Sequence, residues 1–172
     1  MKLTKEWLRK NSACSTGYDW FVHQSSNDLF EVISKLMAEN HFNWANWVIC
    51  RKLNRKQKIQ YAVFAAELVI HIYEEKYPDD KRPRLAIEAA KTVIKSNTKK
   101  NRAYAAAAAY AAAAYAAAAY AAYAAAAAAY AAAAYADAAD AADAAAAYAA
   151  ARKGVRLKII NYGLSLLGLG VI

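Results

Sequence analysis

The densest set of chemically capable side chains lies in YEEKYPDDKRPRLAIEAAK, residues 73–91. Glu74, Glu75, Asp79, Asp80, Lys81, Arg82, Arg84 and Glu88 crowd a single helix–turn–helix. Carboxylates beside guanidinium groups can serve acid–base work, and the planar fork of Arg grips carboxylate or phosphate. Arg84 and Glu88 are spaced to pair along one helix face. The plainer reading is a turn fixed by internal Asp–Arg bridges, with Asp79 or Asp80 capping the helix that Pro83 opens.

The second capable set is cationic. Arg51, Lys52, Arg55, Lys56 and Lys58 form one cluster, Lys95, Lys99, Lys100 and Arg102 another, and Arg152, Lys153, Arg156 and Lys158 a third. The chain carries a net charge of +9, and the first 102 residues supply +8 of it. An acidic partner suits that balance, whether protein, nucleotide or nucleic acid; a merely solubilising face is the bland alternative. Trp44, Trp47 and Tyr61 stand near basic residues, as in chains that stack bases and hold phosphates, but no helix-turn-helix or RNA-binding signature accompanies them.

Other chemistry is thin. His23, His41 and His71 share no motif, and His71 reads as a hydrogen-bonded core histidine on a buried helix. Cys14 and Cys50 show no zinc spacing and read as two reduced thiols, with a single disulfide as the alternative. Cys50 lacks the surroundings of a nucleophile. No phosphate-binding glycine loop, dinucleotide fingerprint, HExxH or GxSxG occurs. Asp137, Asp140 and Asp143 recur every third residue; a solubilising stripe is favoured over a metal site, since hard cations gather loop oxygens. The sequence thus points to no catalytic residue, metal or cofactor. An enzyme centred on Glu74, Asp79, Asp80 and Arg82 is the third-ranked reading.

The elements that must position these groups read as helices throughout. Residues 4–11 form a short helix capped by Thr4, with Trp7 and Leu8 facing inward. The Ser-rich stretch 12–25, with Gly17, reads as a loop pinned by Tyr18, Trp20 and Phe21. A helix then runs to Asn40, and a short one covers 43–53. Asn54 caps a long, central helix running to Lys76, with Gln57 at the capping-box position. Pro78 ends it. The next helix spans Pro83 to Ser96, with Leu85, Ile87, Ala90, Val93 and Ile94 apolar. Ser96-Asn97-Thr98 breaks the chain ahead of an Ala-rich region. Gly154 either ends that region or opens a last helix, whose apolar face includes Leu157, Ile159, Ile160 and Leu164; the GLGVI end frays.

The Ala-rich region is a tract of 49 residues, 103–151, with 38 Ala, eight Tyr and three Asp. Ala is the best helix former. A straight helix of that length would run about 73 Å, far beyond a compact chain whose radius of gyration is about 16 Å. An antiparallel hairpin turning near 121–129 is expected, with Ala faces in close contact and tyrosines filling the wider gaps. A long helix paired with a second copy of the chain is the alternative. Residues 103–136 could span a bilayer by length, but Ala is weakly apolar and Tyr recurs throughout, so no membrane span is expected. The start, MKLTKEWLRKNSACS, lacks the apolar stretch of a signal peptide.

At residues 73–91 and the Ala-rich helical region after them, the chain resembles immunity proteins of bacterial polymorphic toxin systems and Ala-rich phage proteins of the same design. The phage-type likeness extends to WLRKNSAC…WF, WANW and KIINYGLSLL. The resemblance implies a small cytoplasmic protein that acts by binding, neutralising a toxin or countering a host defence factor. The resulting expectation is an all-α, compact helical bundle, one domain over 1–172: mixed helices over 1–102, the Ala/Tyr-rich hairpin over 103–151, and a C-terminal helix over 152–172. It is a non-enzymatic interaction protein whose partner-binding residues are Glu74, Asp79, Asp80, Arg82, Arg84, Glu88, Arg51 and Arg55. A nucleotide or nucleic-acid binder using the same cations is the alternative.

Overall fold

The computed structural model describes residues 1–113 and 153–172. It is all-α: among the described residues nine helices pack on one another, and the one β-type pairing is an isolated bridge between Lys2 and Asp28. The hairpin expected in the Ala/Tyr tract, and the stripe Asp137, Asp140 and Asp143, lie outside the described residues.

Helix α1 spans Lys5–Lys10, and the Thr4 hydroxyl accepts the Trp7 N–H at 3.1 Å. The stretch read as a loop contains a helix, α2 (Ser15–Val22). Its N-cap is Cys14, whose Sγ accepts the Gly17 N–H at 3.4 Å. Serine and threonine, which suggest loop by composition, here occupy the first turn, where unpaired N–H groups suit them. Gly17 suits this close turn, because a Cβ there would meet Cys14 Sγ at 3.1 Å. Helix α3 (Leu29–Ala38) is capped by Asp28, whose Oδ1 accepts the Phe30 N–H at 2.9 Å. Asn40, at φ 62°, turns the chain into α4 (Phe42–Lys52).

Asn54 opens α5 (Arg55–Glu67) with the expected reciprocal capping box to Gln57. Beyond it the chain departs from expectation. Instead of one helix to Lys76, α5 stops at Glu67 and α6 runs Ile70–Lys76. At the break the Val69 N–H bonds back three residues to the Ala66 carbonyl at 3.1 Å. The sequence there, Leu68-Val69-Ile70-His71-Ile72, is rich in β-branched residues, which lose χ1 freedom in a helix. The break lets Val69 and Ile70 both bury, at 1% and 2% exposed, and leaves His71 on the surface, so His71 is not a core histidine.

Helix α7 (Arg82–Lys95) starts with Pro83 in its first turn, as fixed φ and a missing N–H favour. It buries Ala86, Ile87, Ala89, Ala90 and Val93, but Leu85 is 50% exposed. Ser96-Asn97-Thr98 does break the chain, and α8 (Lys99–Ala113) returns along α7. Ala105 and Ala109, one turn apart, are buried, at 0% and 3% exposed. Tyr104, the first tyrosine of the tract, fills no gap: it is 55% exposed.

The last described helix, α9 (Lys153–Leu166), contains Gly154 rather than ending there, and packs on α4 and α5. Ile159, Ile160 and Leu164 are fully buried, while Leu157 is exposed. The chain beyond it does not fray. Asn161 Oδ1 accepts the Ile172 N–H at 2.9 Å, its Nδ2 donates to the Ile172 carbonyl at 3.1 Å, and Leu169 and Ile172 pack against the core. The crossing is tight at Gly163, where a Cβ would lie 2.6 Å from Ile49 Cγ2 and 2.9 Å from Tyr61 Cε2. Gly163→Ala is therefore expected to destabilise the chain by about 1–3 kcal/mol, because overpacking forces neighbours off their rotamers. A lowered urea midpoint with unchanged slope checks this; an unchanged midpoint contradicts it.

Candidate functional site

The turn between α6 and α7 is held by two guanidinium–carboxylate clamps. Arg82 donates to Asp80 twice from its side chain, both at 2.7 Å, and once from its backbone N–H at 3.1 Å. The Tyr73 hydroxyl donates to the other side of the same carboxylate at 2.5 Å. Arg84 grips Glu74 through two bonds, at 2.8 and 2.5 Å. Further along, Lys91 bridges Glu67 at 2.6 Å and Glu88 at 2.8 Å. Arg84 and Glu88, expected to pair with each other, instead turn to different partners. Local sequence explains the geometry: Pro78 and the two aspartates make the turn, and Asp80 takes the first N–H of α7.

These contacts set the acid–base character of the turn. The Arg82 guanidinium holds the Asp80 carboxyl far below the usual carboxylate range. Hydrogen bonding from Arg84 lowers Glu74 and raises Arg84 in return. Burial, then the bond to Asp80, pushes Tyr73 up to about 12. Bonds to Glu67 and Glu88 raise Lys91. A carboxylate so stabilised is a poor proton acceptor near neutrality, and general acid–base catalysis wants a group poised near the working pH. The clamps of Glu74, Asp80, Arg82 and Arg84 thus read as the frame of the turn. Asp79 sits exposed beside it, and Glu88 is held by Lys91.

Arg51 and Arg55 are placed elsewhere, flanking the α4–α5 junction. Arg55 Nη2 donates to Asn97 Oδ1 at 3.4 Å, and Arg102 Nη1 donates to the same oxygen at 3.0 Å. One carbonyl oxygen in the α7–α8 linker therefore joins two basic clusters far apart in the sequence. Asn97 lies just past one end of α7 and Arg82 at the other, a helix length of about 20 Å. The eight residues expected to bind a partner consequently form two groups, not one.

The second group is the more cationic. No Asp or Glu occurs between Glu39 and Glu67, nor between Glu88 and Asp137, so both arms are free of acid in sequence. Among the described residues Lys56, Lys95, Lys99 and Lys100 are exposed and have no carboxylate partner. Arg51 lies over the Trp47 ring at 5.7 Å, and Lys52 over Trp7 at 4.2 Å. Sequence reasoning missed Asn97; its place in the break between basic runs is the signal that could have found it.

An all-α chain with a clamped α6–α7 turn and a composite basic face is thus defined. It belongs to a family described as Imm-5 like putative immunity protein, which it matches over residues 49–157. Residues 1–56 match the YdhT N-terminal domain. No curated protein and no solved structure matches the chain. Among the described residues no helix is long and apolar enough to cross a membrane.

The clamps carry a pH signature. A carboxylate depressed by folding stabilises the fold above its unfolded pKa of about 4, and that stability is lost as pH falls through the folded value. Asp80→Asn is expected to cost about 1.5–3 kcal/mol at neutral pH, as charged hydrogen bonds do, and to make stability less steep in acid. Urea midpoints at neutral pH and near pH 3 check this. A variant that loses stability in acid as steeply as the parent contradicts it.

Proposed function

We propose that this protein is a non-enzymatic, immunity-type binder that sequesters an acidic protein partner, a toxin or, in a phage, a host defence factor. It acts in the cytoplasm, and the contact face is the composite basic surface around Arg51, Arg55 and Asn97. The observation that carries this reading is the joining of two acid-free basic arms at Asn97 Oδ1. Family membership supports the immunity role. The α6–α7 turn, with Glu74, Asp79, Asp80, Arg82, Arg84 and Glu88, supports the face by fixing the far end of α7.

The test is capture from host lysate by the immobilised full chain, compared with a variant carrying Lys56→Glu, Lys95→Glu, Lys99→Glu and Lys100→Glu. All four lysines are exposed, so the helical circular dichroism should persist. One protein retained in equal stoichiometry, and held more than about tenfold less by the variant, is the expected result. Retention of nucleic acid instead, weakening steeply with salt, replaces the reading by the nucleic-acid one. Equal capture by both chains removes the basic face from the contact.

A further inference from the structure

Helices α1 to α4 line a cavity of about 300 Å³ that neither the basic face nor the clamped turn uses. Its wall is largely apolar, joining the aromatic side chains of Trp20, Phe21, Trp44 and Trp47 to aliphatic ones, and no charged side chain lines it. All three tryptophans are half-buried. The cavity opens to solvent past Ser12, Cys14 and Asn43, and an apolar cavity of about 150 Å³ suffices to bind benzene. Twice that space suits a two-ring molecule.

Two polar side chains of the wall, Asn43 and Ser12, are exposed at its mouth. Among the described residues neither the Asn43 amide nor the Ser12 hydroxyl has a partner. By contrast, Trp20 Nε1 already donates to Glu39 Oε2 at 2.6 Å. Ser12 also sits at φ 60°. It ends α1 in a left-handed turn, with its N–H on the Arg9 carbonyl at 3.1 Å and the Ala13 N–H on the Leu8 carbonyl at 3.0 Å. Glycine is the usual residue at such a position. A strained non-glycine residue in a cavity wall is the kind of outlier that accompanies ligand sites.

We propose that this cavity binds a small, neutral, planar, two-ring aromatic molecule with one hydrogen-bonding edge. The rings lie against the tryptophans, which favour offset or edge-on aromatic partners, and the polar edge meets the Asn43 amide. The lack of charge in the wall excludes an ionic ligand as a good fit. The residues that line the cavity all precede the immunity-family segment and lie within the stretch that matches the YdhT N-terminal domain, so this inference stands apart from the partner reading.

The test uses indole and 1-methylindole, which lacks the N–H, with the full chain labelled with ¹⁵N. Indole should shift the tryptophan side-chain N–H signals saturably with one-to-one stoichiometry. It should also slow the reaction of a thiol reagent with Cys14, which is exposed in the cavity wall, while fully buried Cys50 stays silent. Indole should bind about tenfold more tightly than 1-methylindole, the worth of one hydrogen bond. Asn43→Ala, at an exposed position on α4, should erase that preference without unfolding the chain. Unsaturable shifts, an unprotected Cys14 or an undiminished preference in Asn43→Ala would each overturn the proposal.

Discussion

The fold turns on one buried hydrogen bond. Asn46 is the polar side chain in the described core, and its Oδ1 accepts the Tyr61 hydroxyl at 2.7 Å; both residues are 0% exposed. A polar group without a partner in such a place is expensive, so α4 and α5 must sit where these atoms meet. The Asn54 capping box makes the turn between them short and determinate. Gly163 then lets α9 lie directly on Tyr61 and Ile49. With α9 seated, Gln57 Nε2 donates to the Leu166 carbonyl, and the C-terminal segment folds back to Asn161. The remaining helices are added outward from this junction, α7 on α5 and α8 on α7.

Charge is sorted along the same layers. Acidic residues concentrate around α6 and the start of α7, where each of the best-placed ones is met by a base: Asp80 by Arg82, Glu74 by Arg84, Glu67 and Glu88 by Lys91. The other end of α7 collects cations only. Exposed cations gathered without a neighbouring acid give that end a positive field, and such a field speeds encounter with negative surfaces more than it adds final affinity. The two ends of one helix thereby divide the labour, one stiffening the chain and one facing outward.

Much of this was legible in the sequence where a local rule had a local cause. The Asn54–Gln57 box, Pro83 at the start of α7 and the Ser-Asn-Thr break are each written in two to four residues. The Asp–Arg bridging of the turn was also readable, though not its pairing, because Arg84 reaches Glu74 across the turn rather than Glu88 along the helix. The features that escaped it depend on tertiary context. Helix α2 hides in a serine-rich stretch because Trp20 and Phe21 find partners on α3 and α4. The break at Leu68–Val69 carries no glycine or proline; it comes from the gain in burying Val69 and Ile70 together. The meeting of Arg55 and Arg102 on Asn97 links positions too distant in sequence for any periodicity to show.

The packing of α8 on α7 has a property of its own. Alanine supplies much of the buried surface on both helices: Ala86, Ala89 and Ala90 beside Ile87 and Val93 on α7, Ala105 and Ala109 on α8. Alanine has no rotamers to freeze, so such helices can join with little entropic penalty. It also offers small knobs only, so an alanine stretch by itself fixes the register along the axis weakly. Alignment must therefore come from the ends. Here the linker provides it: Asn101 Nδ2 donates to the Ser96 carbonyl at 2.6 Å, and its N–H bonds the Thr98 hydroxyl at 3.1 Å. The smooth seam supplies adhesion, and a three-residue latch at its head supplies the registration.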